Sequence, residues 1–236
     1  MEGQQKIIYV ASNALQTAEH FRLFGKMLEK YSSYSIVIVG SSTAETKKIL
    51  EGIVEDHQRG DIEAAMKKMT ILKTKYYELA LALFDKEHSV FDDMNDHFVS
   101  IEWDLEESKH ENVDYAYDQT VAVGELLSTL ILATYLQQTG LDTHWMDARD
   151  LILTDDVFRN ANVMEAETKE RVQKHLIPLL REEKTLITQA VLGCTTENYS
   201  IILGQENGMS RSVISLQSYL DANELLVWNG TAFNKQ

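Results

Sequence analysis

Two short runs of β-branched and apolar residues constrain the fold class of this chain more than any other feature. Lys6 to Ala11 reads Lys-Ile-Ile-Tyr-Val-Ala, and Ser35 to Gly40 reads Ser-Ile-Val-Ile-Val-Gly. Neither alternates apolar with polar, so each is expected to be buried on both faces, the situation of a strand inside a parallel sheet. Between them, Thr17 to Tyr31 sets Phe21, Phe24, Met27 and Leu28 at helical spacing, with Lys30 near the end. Strand, helix and strand make a βαβ opening.

Pro178 is the sole proline of the 236 residues, which leaves long stretches free to be helical. From Ala44 to about Lys109 the pattern is almost continuously helical. It breaks near Arg59-Gly60-Asp61, where the glycine can end one helix and the aspartate cap the next. The spacing predicts helices over 44–58, 61–87 and 89–109. The second half returns to alternation: an apolar helix over Asp118 to Gly140, then a short strand at His144-Trp145-Met146 followed by Leu151-Ile152-Leu153-Thr154. After these come an amphipathic helix over Glu165 to Arg181, strands over Thr185 to Leu192 and Tyr199 to Leu203, a helix over Ser210 to Leu220, and a last strand over Glu224 to Trp228. This is an α/β chain with a helical insertion at about 44–109. No repeat or linker divides it, so a single domain over 1–236 is expected.

Charge narrows the partners. Lysine and arginine total 22 against 37 aspartates and glutamates, a net charge of −15. Neither nucleic acid nor an anionic membrane suits such a surface, because both need basic groups that displace counterions. The apolar share of 44% is enough for a sizeable core. Cys194 is the only cysteine and cannot form an internal disulfide, and no cysteine cluster offers a zinc site. A reducing cytoplasm is the expected location. Met1 to Tyr9 lacks the basic start and apolar stretch of a signal peptide. No window is expected to reach the ~18 apolar residues of a membrane-spanning helix.

General catalytic signatures are missing: no Walker A loop, no Gly-x-Gly-x-x-Gly, no Gly-x-Ser-x-Gly elbow, no His-Glu-x-x-His helix. The nearest approach to a metal cluster is His88, Asp92, Asp93, Asp96 and His97, whose spacing equally describes a solvated acidic helix face, the reading adopted here. Cys194 reads as a half-buried small residue, with no basic or histidine neighbour visible in sequence. Tyr76, Tyr77, Leu79, Leu83 and Phe84 read as a core-packing face. Glu125 is different, since it sits in Val-Ala-Val-Gly-Glu-Leu-Leu-Ser, where a buried carboxylate costs several kcal/mol unless donors or a cation meet it. It either belongs to a site or caps its own helix N-terminus. Asp147 and Arg149 carry the same ambiguity, because they can pair with each other.

Four segments then resemble the aspartokinase branch of the amino-acid kinase family, in the family's order. Asp118 to Ser128 is similar to its Gly-Glu-x-x-Ser helix, and Trp145-Met146-Asp147-Ala148-Arg149, running on to Thr154-Asp155-Asp156, to its Asp-Ala-Arg and Thr-Asp segment. Ile177-Pro178-Leu179-Leu180 followed by Ile187 to Gly193 resembles its Gln-Gly-Phe-Ile-Gly strand. Leu203-Gly204, the next helix and Val227-Trp228 fall where the family has its Gly-Arg-Gly-Gly-Ser-Asp loop and Trp-Thr-Asp strand. The resemblance implies a three-layer α/β/α sandwich of the amino-acid kinase (carbamate kinase-like) type. It also implies a homodimer, and an amino-acid pocket holding aspartate or a similar small amino acid, formed by Glu125, Ser128, Asp147, Arg149 and Thr154.

The departures cluster on the phosphate side. The family's Lys-Phe-Gly-Gly start is replaced by Tyr9-Val10-Ala11-Ser12-Asn13, and Lys6, three residues away, is poorly placed to substitute. The second phosphate-side turn becomes Val39-Gly40-Ser41-Ser42. The Gly-Arg-Gly-Gly-Ser-Asp loop becomes Gly204 to Ser212, with Gln205 or Glu206 at the arginine, Ser210 or a neighbour at the aspartate, and Arg211 close enough to compensate. Trp-Thr-Asp becomes Trp228-Asn229-Gly230, and the chain stops at Gln236, before the family's adenine-binding segments and regulatory domains. The resemblance therefore implies a degenerate, C-terminally truncated relative that keeps part of the amino-acid pocket, with no catalytic residue at Tyr9, no metal and no cofactor. The alternative is an active aspartate kinase using Mg-ATP to phosphorylate the side-chain carboxylate of L-aspartate.

Overall fold

Alternate residues of the first two strands go to opposite sides of one sheet, and each side has its own apolar core. In the computed structural model, which describes residues 5–182, 185–206, 209–222 and 224–236, β1 (Gln5–Val10) and β2 (Ser35–Gly40) pair in parallel with Ile7 opposite Val37 and Tyr9 opposite Val39. Ile8, Val10, Ile36 and Ile38 enter one core, and Ile7, Tyr9, Val37 and Val39 enter the other. Burial of each such aliphatic side chain is worth ~1.5–3 kcal/mol, which is why these strands carry no polar face.

The remaining elements follow in order. Between β1 and β2 lies α1 (Ala18–Leu28), and after β2 come α2 (Ala44–Arg59), α3 (Ile62–Leu83), α4 (Val90–Glu106) and α5 (Val113–Gln138). Then follow β3 (Thr143–Trp145), α6 (Glu165–Arg171), α7 (Ile177–Glu182), β4 (Thr185–Gln189), β5 (Leu192–Cys194) and β6 (Ser200–Ile202). The chain ends with β7 (Gln205–Glu206), β8 (Met209–Ser210), α8 (Arg211–Tyr219), β9 (Glu224–Trp228) and β10 (Phe233–Lys235). The main sheet has the order β10-β9-β1-β2-β4-β3, parallel except for β10. The result is a mixed α/β architecture with a mostly parallel central sheet.

Local chemistry explains the helix boundaries. Gly60 takes φ +79° and its N–H bonds to the carbonyls of Asp56 and His57, while the Asp61 side chain accepts from Ala64 N–H to start α3. Between α6 and α7, residues Val172–Leu176 widen into a π-helical turn just before Pro178, whose ring cannot sit against the carbonyl four residues back.

Several sequence expectations need correction. The strand expected over Thr185 to Leu192 ends at Gln189, and Leu192 belongs to the separate β5–β6 hairpin. The apolar helix expected from Asp118 begins at Val113, capped by Asn112. It is 26 residues long and apolar enough, at a mean hydropathy of 1.3, to span a membrane by length and composition, contrary to the expectation that no window would qualify. Of that window 78% is buried inside the fold, as befits a core helix. The sheet does not end at Trp228 as expected. β10 returns antiparallel to β9 through a turn in which the Asn229 side chain accepts from the N–H groups of Thr231 and Ala232, and Trp228 is fully buried.

Candidate functional site

Glu125 lies in the middle of α5, so it cannot cap its own helix. It reaches instead the turn that precedes α2, where Oε1 accepts from Ser42 N–H at 3.2 Å and from the Ser42 hydroxyl at 2.5 Å. Its second oxygen, Oε2, is buried with no hydrogen-bond partner in the described structure. Burial pushes the carboxyl up to about 7, against the lowering by the Ser42 hydroxyl, the Ser42 amide and Lys47. One glycine makes this approach possible: a Cβ on Gly124 would stand 2.7 Å from Leu50 Cδ1 and 3.0 Å from Thr46 Cγ2, so α2 and α5 pack too closely there for a side chain.

Ser128, one turn on, bonds to the Tyr76 hydroxyl at 2.8 Å, and burial pushes that phenol up to about 12. Ser128 and Tyr76 line a small cavity with Gly40, Ser41 and Thr46. The next residue, Thr129, accepts from Gln189 Nε2 at 2.7 Å and from Trp145 Nε1 at 3.1 Å, and Gln189 Oε1 accepts from Ala148 N–H at 2.6 Å. This buried chain ties the Glu125 helix to the Asp147-Ala148-Arg149 segment.

Asp147 and Arg149 pair with each other: Nη2 donates to Oδ2 at 2.6 Å and Nε to both carboxylate oxygens at 3.0 Å, while Nη1 donates to Ser200 Oγ at 3.1 Å. Thr154 is not brought to Glu125's turn. Its hydroxyl donates to the carbonyls of Asp155 and Cys194, and it lines a separate cleft beside the β5–β6 hairpin. Cys194 does have basic neighbours, contrary to the sequence reading: Arg171 Nη1 lies 3.4 Å from Sγ, and the thiol itself donates to the Arg149 carbonyl. Burial nevertheless holds the thiol above its ordinary value. At the start of α4, His88 Nδ1 accepts from Val90 N–H, and no three His, Cys, Asp or Glu among the described residues could together hold a metal ion.

The turns that the resemblance aligned with the family's phosphate side are filled by the chain itself. Tyr9 is buried at the end of β1, its phenol pushed up by burial against a hydrogen bond to Ser41, with Glu125 adding to the rise. Asn13, at φ 70°, turns its side chain onto Ala44 N–H at 2.9 Å, and Thr43 Oγ1 accepts from Thr46 N–H at 3.1 Å. Ser12 Oγ donates to the Ser42 carbonyl at 3.0 Å. The amides of Ser42, Ala44 and Thr46, which an anion at this helix N-terminus would use, are thus bonded to Glu125, Asn13 and Thr43. Lys6 offers no replacement cation, since it pairs with Glu224 and lies 4.2 Å from the Tyr34 ring centroid. Arg211 donates to Ala161 O and Asn162 Oδ1. Asn207 and Gly208 of that loop lie outside the described residues. Sequence reasoning had no signal for the Ser42 or Asn13 contacts, because both partners are polar residues in turns that carry no periodicity.

No family model matches the chain. It is 30% identical over 111 residues to the lysine-sensitive aspartokinase 3 of Escherichia coli, covering 47% of this chain and 24% of that protein. It is 27% identical over 112 residues to the chloroplastic bifunctional aspartokinase/homoserine dehydrogenase 1 of Arabidopsis thaliana, covering 47% of this chain and 12% of that protein. In structure it resembles E. coli aspartokinase III in complex with lysine and aspartate (TM-score 0.83, 19% identity, 94% of this chain and 48% of that one). The aspartate kinase of Clostridium acetobutylicum is a second such neighbour (TM-score 0.73, 13% identity, 94% and 46%). The chain's relatives in sequence and in structure are aspartokinases, and it spans about a quarter of the first curated relative and about half of these structural neighbours.

Proposed function

We propose that this chain is an aspartokinase-like protein that keeps part of an amino-acid pocket and does not transfer phosphate. On this reading its 236 residues form one three-layer α/β/α unit of the amino-acid kinase, carbamate kinase-like type, with residues 44–109 as the helical insertion. The observation that carries it is the self-filled phosphate side: a buried Tyr9 and the Asn13 side chain on Ala44 N–H. Phosphoryl transfer depends on positioned cations and donors. Neither a lysine at Tyr9 nor free amides at 42, 44 and 46 is on hand, so the residues present do not fit a phosphoryl group.

The pocket centres on Glu125 and Ser128, with the Asp147–Arg149 pair linked through Thr129 and Gln189, and it leaves out Thr154, which lines the other cleft. Oε2 of Glu125 lacks a partner, and the ammonium of a small amino acid is a chemistry that would satisfy it. Aspartate, seen with E. coli aspartokinase III, is the ligand to test first. The chain is further proposed to act as a cytoplasmic homodimer without a bound cofactor.

A coupled assay of ADP release with aspartate and Mg-ATP decides between this reading and an active kinase. No release above the blank is expected, together with calorimetric binding of aspartate that is lost for succinate, which lacks the ammonium. Aspartate-dependent ADP release would establish the active enzyme instead.

A further inference from the structure

A second site stands apart from the Glu125 pocket, in a cleft of about 610 Å³ between the start of α5, the 154–164 loop and the β5–β6 hairpin. Three aromatic rings meet there at right angles. Tyr115 lies 5.4 Å from Phe158 with the ring planes at 87°, and 5.2 Å from Tyr199 at 89°. One ring thus carries two others standing perpendicular to it, forming an aromatic corner. Asp155, Asp156 and Glu197 line the same cleft, and its lining contains no lysine or arginine.

The walls are set by the fold. Asp155 spends its carboxylate on the N–H groups of Val157 and Asn162 and on Asn162 Nδ2, which shapes its loop. On the other side, Thr195 Oγ1 accepts from Glu197 N–H and Tyr199 N–H, fixing the hairpin tip. Asp156 and Glu197 enter no ion pair among the described residues, so their charge is available to the cleft. Ring faces attract a cation, and quaternary ammonium groups, being weakly hydrated, gain most from such surfaces. A preset pocket loses little on ordering when it binds.

We infer that this cleft binds a small quaternary or alkylated ammonium compound, held by Tyr115, Phe158 and Tyr199 and neutralised by Asp156 and Glu197. The inference does not depend on the proposed amino-acid pocket.

The test is titration calorimetry of the full chain with choline and with 3,3-dimethylbutan-1-ol, a neutral molecule of the same shape. Choline is expected to bind saturably in the millimolar range or tighter, and the neutral alcohol at least about tenfold more weakly. Tyr199, at 41% exposure, can be changed without emptying the core. Tyr199→Leu should weaken choline by about tenfold or more, and Glu197→Gln should weaken choline while leaving the alcohol unchanged. Circular dichroism confirms that each variant is folded, and the Glu197→Gln comparison decides alone if Tyr199→Leu is not. Glu125→Gln should leave choline binding intact, which separates this site from the aspartate pocket. Absence of saturable choline binding, equal affinity for the alcohol, or unchanged binding by the folded variants would overturn the inference.

Discussion

The Ser42 hydroxyl donates to Glu125 across 83 residues of sequence, at 2.5 Å and out of contact with solvent. The retained glutamate of the resemblance therefore has a structural duty as well as a proposed ligand, because it holds the turn that leads into α2.

That duty makes stability depend on pH. The carboxyl titrates near 4.5 when unfolded and is pushed up to about 7 in the fold, so between these values the folded state holds a proton that the unfolded state has lost. The contribution of this carboxyl to stability is then highest below about 4.5 and falls as pH rises to about 7, by on the order of 3 kcal/mol at most. Urea unfolding of Glu125→Gln at several pH values should give a curve lacking this decline. Parallel curves for the two proteins would refute the assignment. Asp118, likewise pushed up to about 6 by burial, is present in both and cancels.

Gly124→Ala tests the close approach of α2 and α5. Alanine in a helix interior is intrinsically better by about 1 kcal/mol, yet the new methyl meets Leu50 and Thr46 at 2.7 and 3.0 Å. A net loss of about 1–3 kcal/mol is expected from overpacking. A more stable variant would show that the two helices can separate freely.

At Asn13 the hydrogen bond and the backbone can be separated. Asn13→Ala loses the contact to Ala44 N–H and keeps a Cβ at positive φ without the polar side chain that lets asparagine tolerate that region, for an expected cost of about 1–2 kcal/mol. Asn13→Gly loses the same contact but also removes the Cβ from this positive-φ position, and should cost clearly less. Equal melting temperatures for the two variants would remove the backbone contribution.

Mg-ATP should leave the melting temperature unchanged. A working site at about 100-fold excess of ligand over Kd would add ~2.7 kcal/mol, worth several degrees at about 2–4 °C per kcal/mol. Differential scanning calorimetry that finds such a rise, deepened by aspartate, would sink the non-transferring reading.

The sequence by itself determined the βαβ opening, the three insertion helices to within a few residues of their ends, the Gly60–Asp61 boundary and the fact that Glu125 needed a partner. Each is a matter of neighbours within a turn or a pleat: side-chain period, a capping oxygen, a residue tolerant of positive φ. The tertiary structure alone decided that the partner is Ser42, that Thr154 belongs to another cleft, that β10 covers the edge beside Trp228, and that Tyr115, Phe158 and Tyr199 meet at right angles. These pairings join turns and helices far apart in the chain. Such contacts are set by how the layers pack around a shared core, and the short-range periodicity that reveals a helix or a strand carries no record of them.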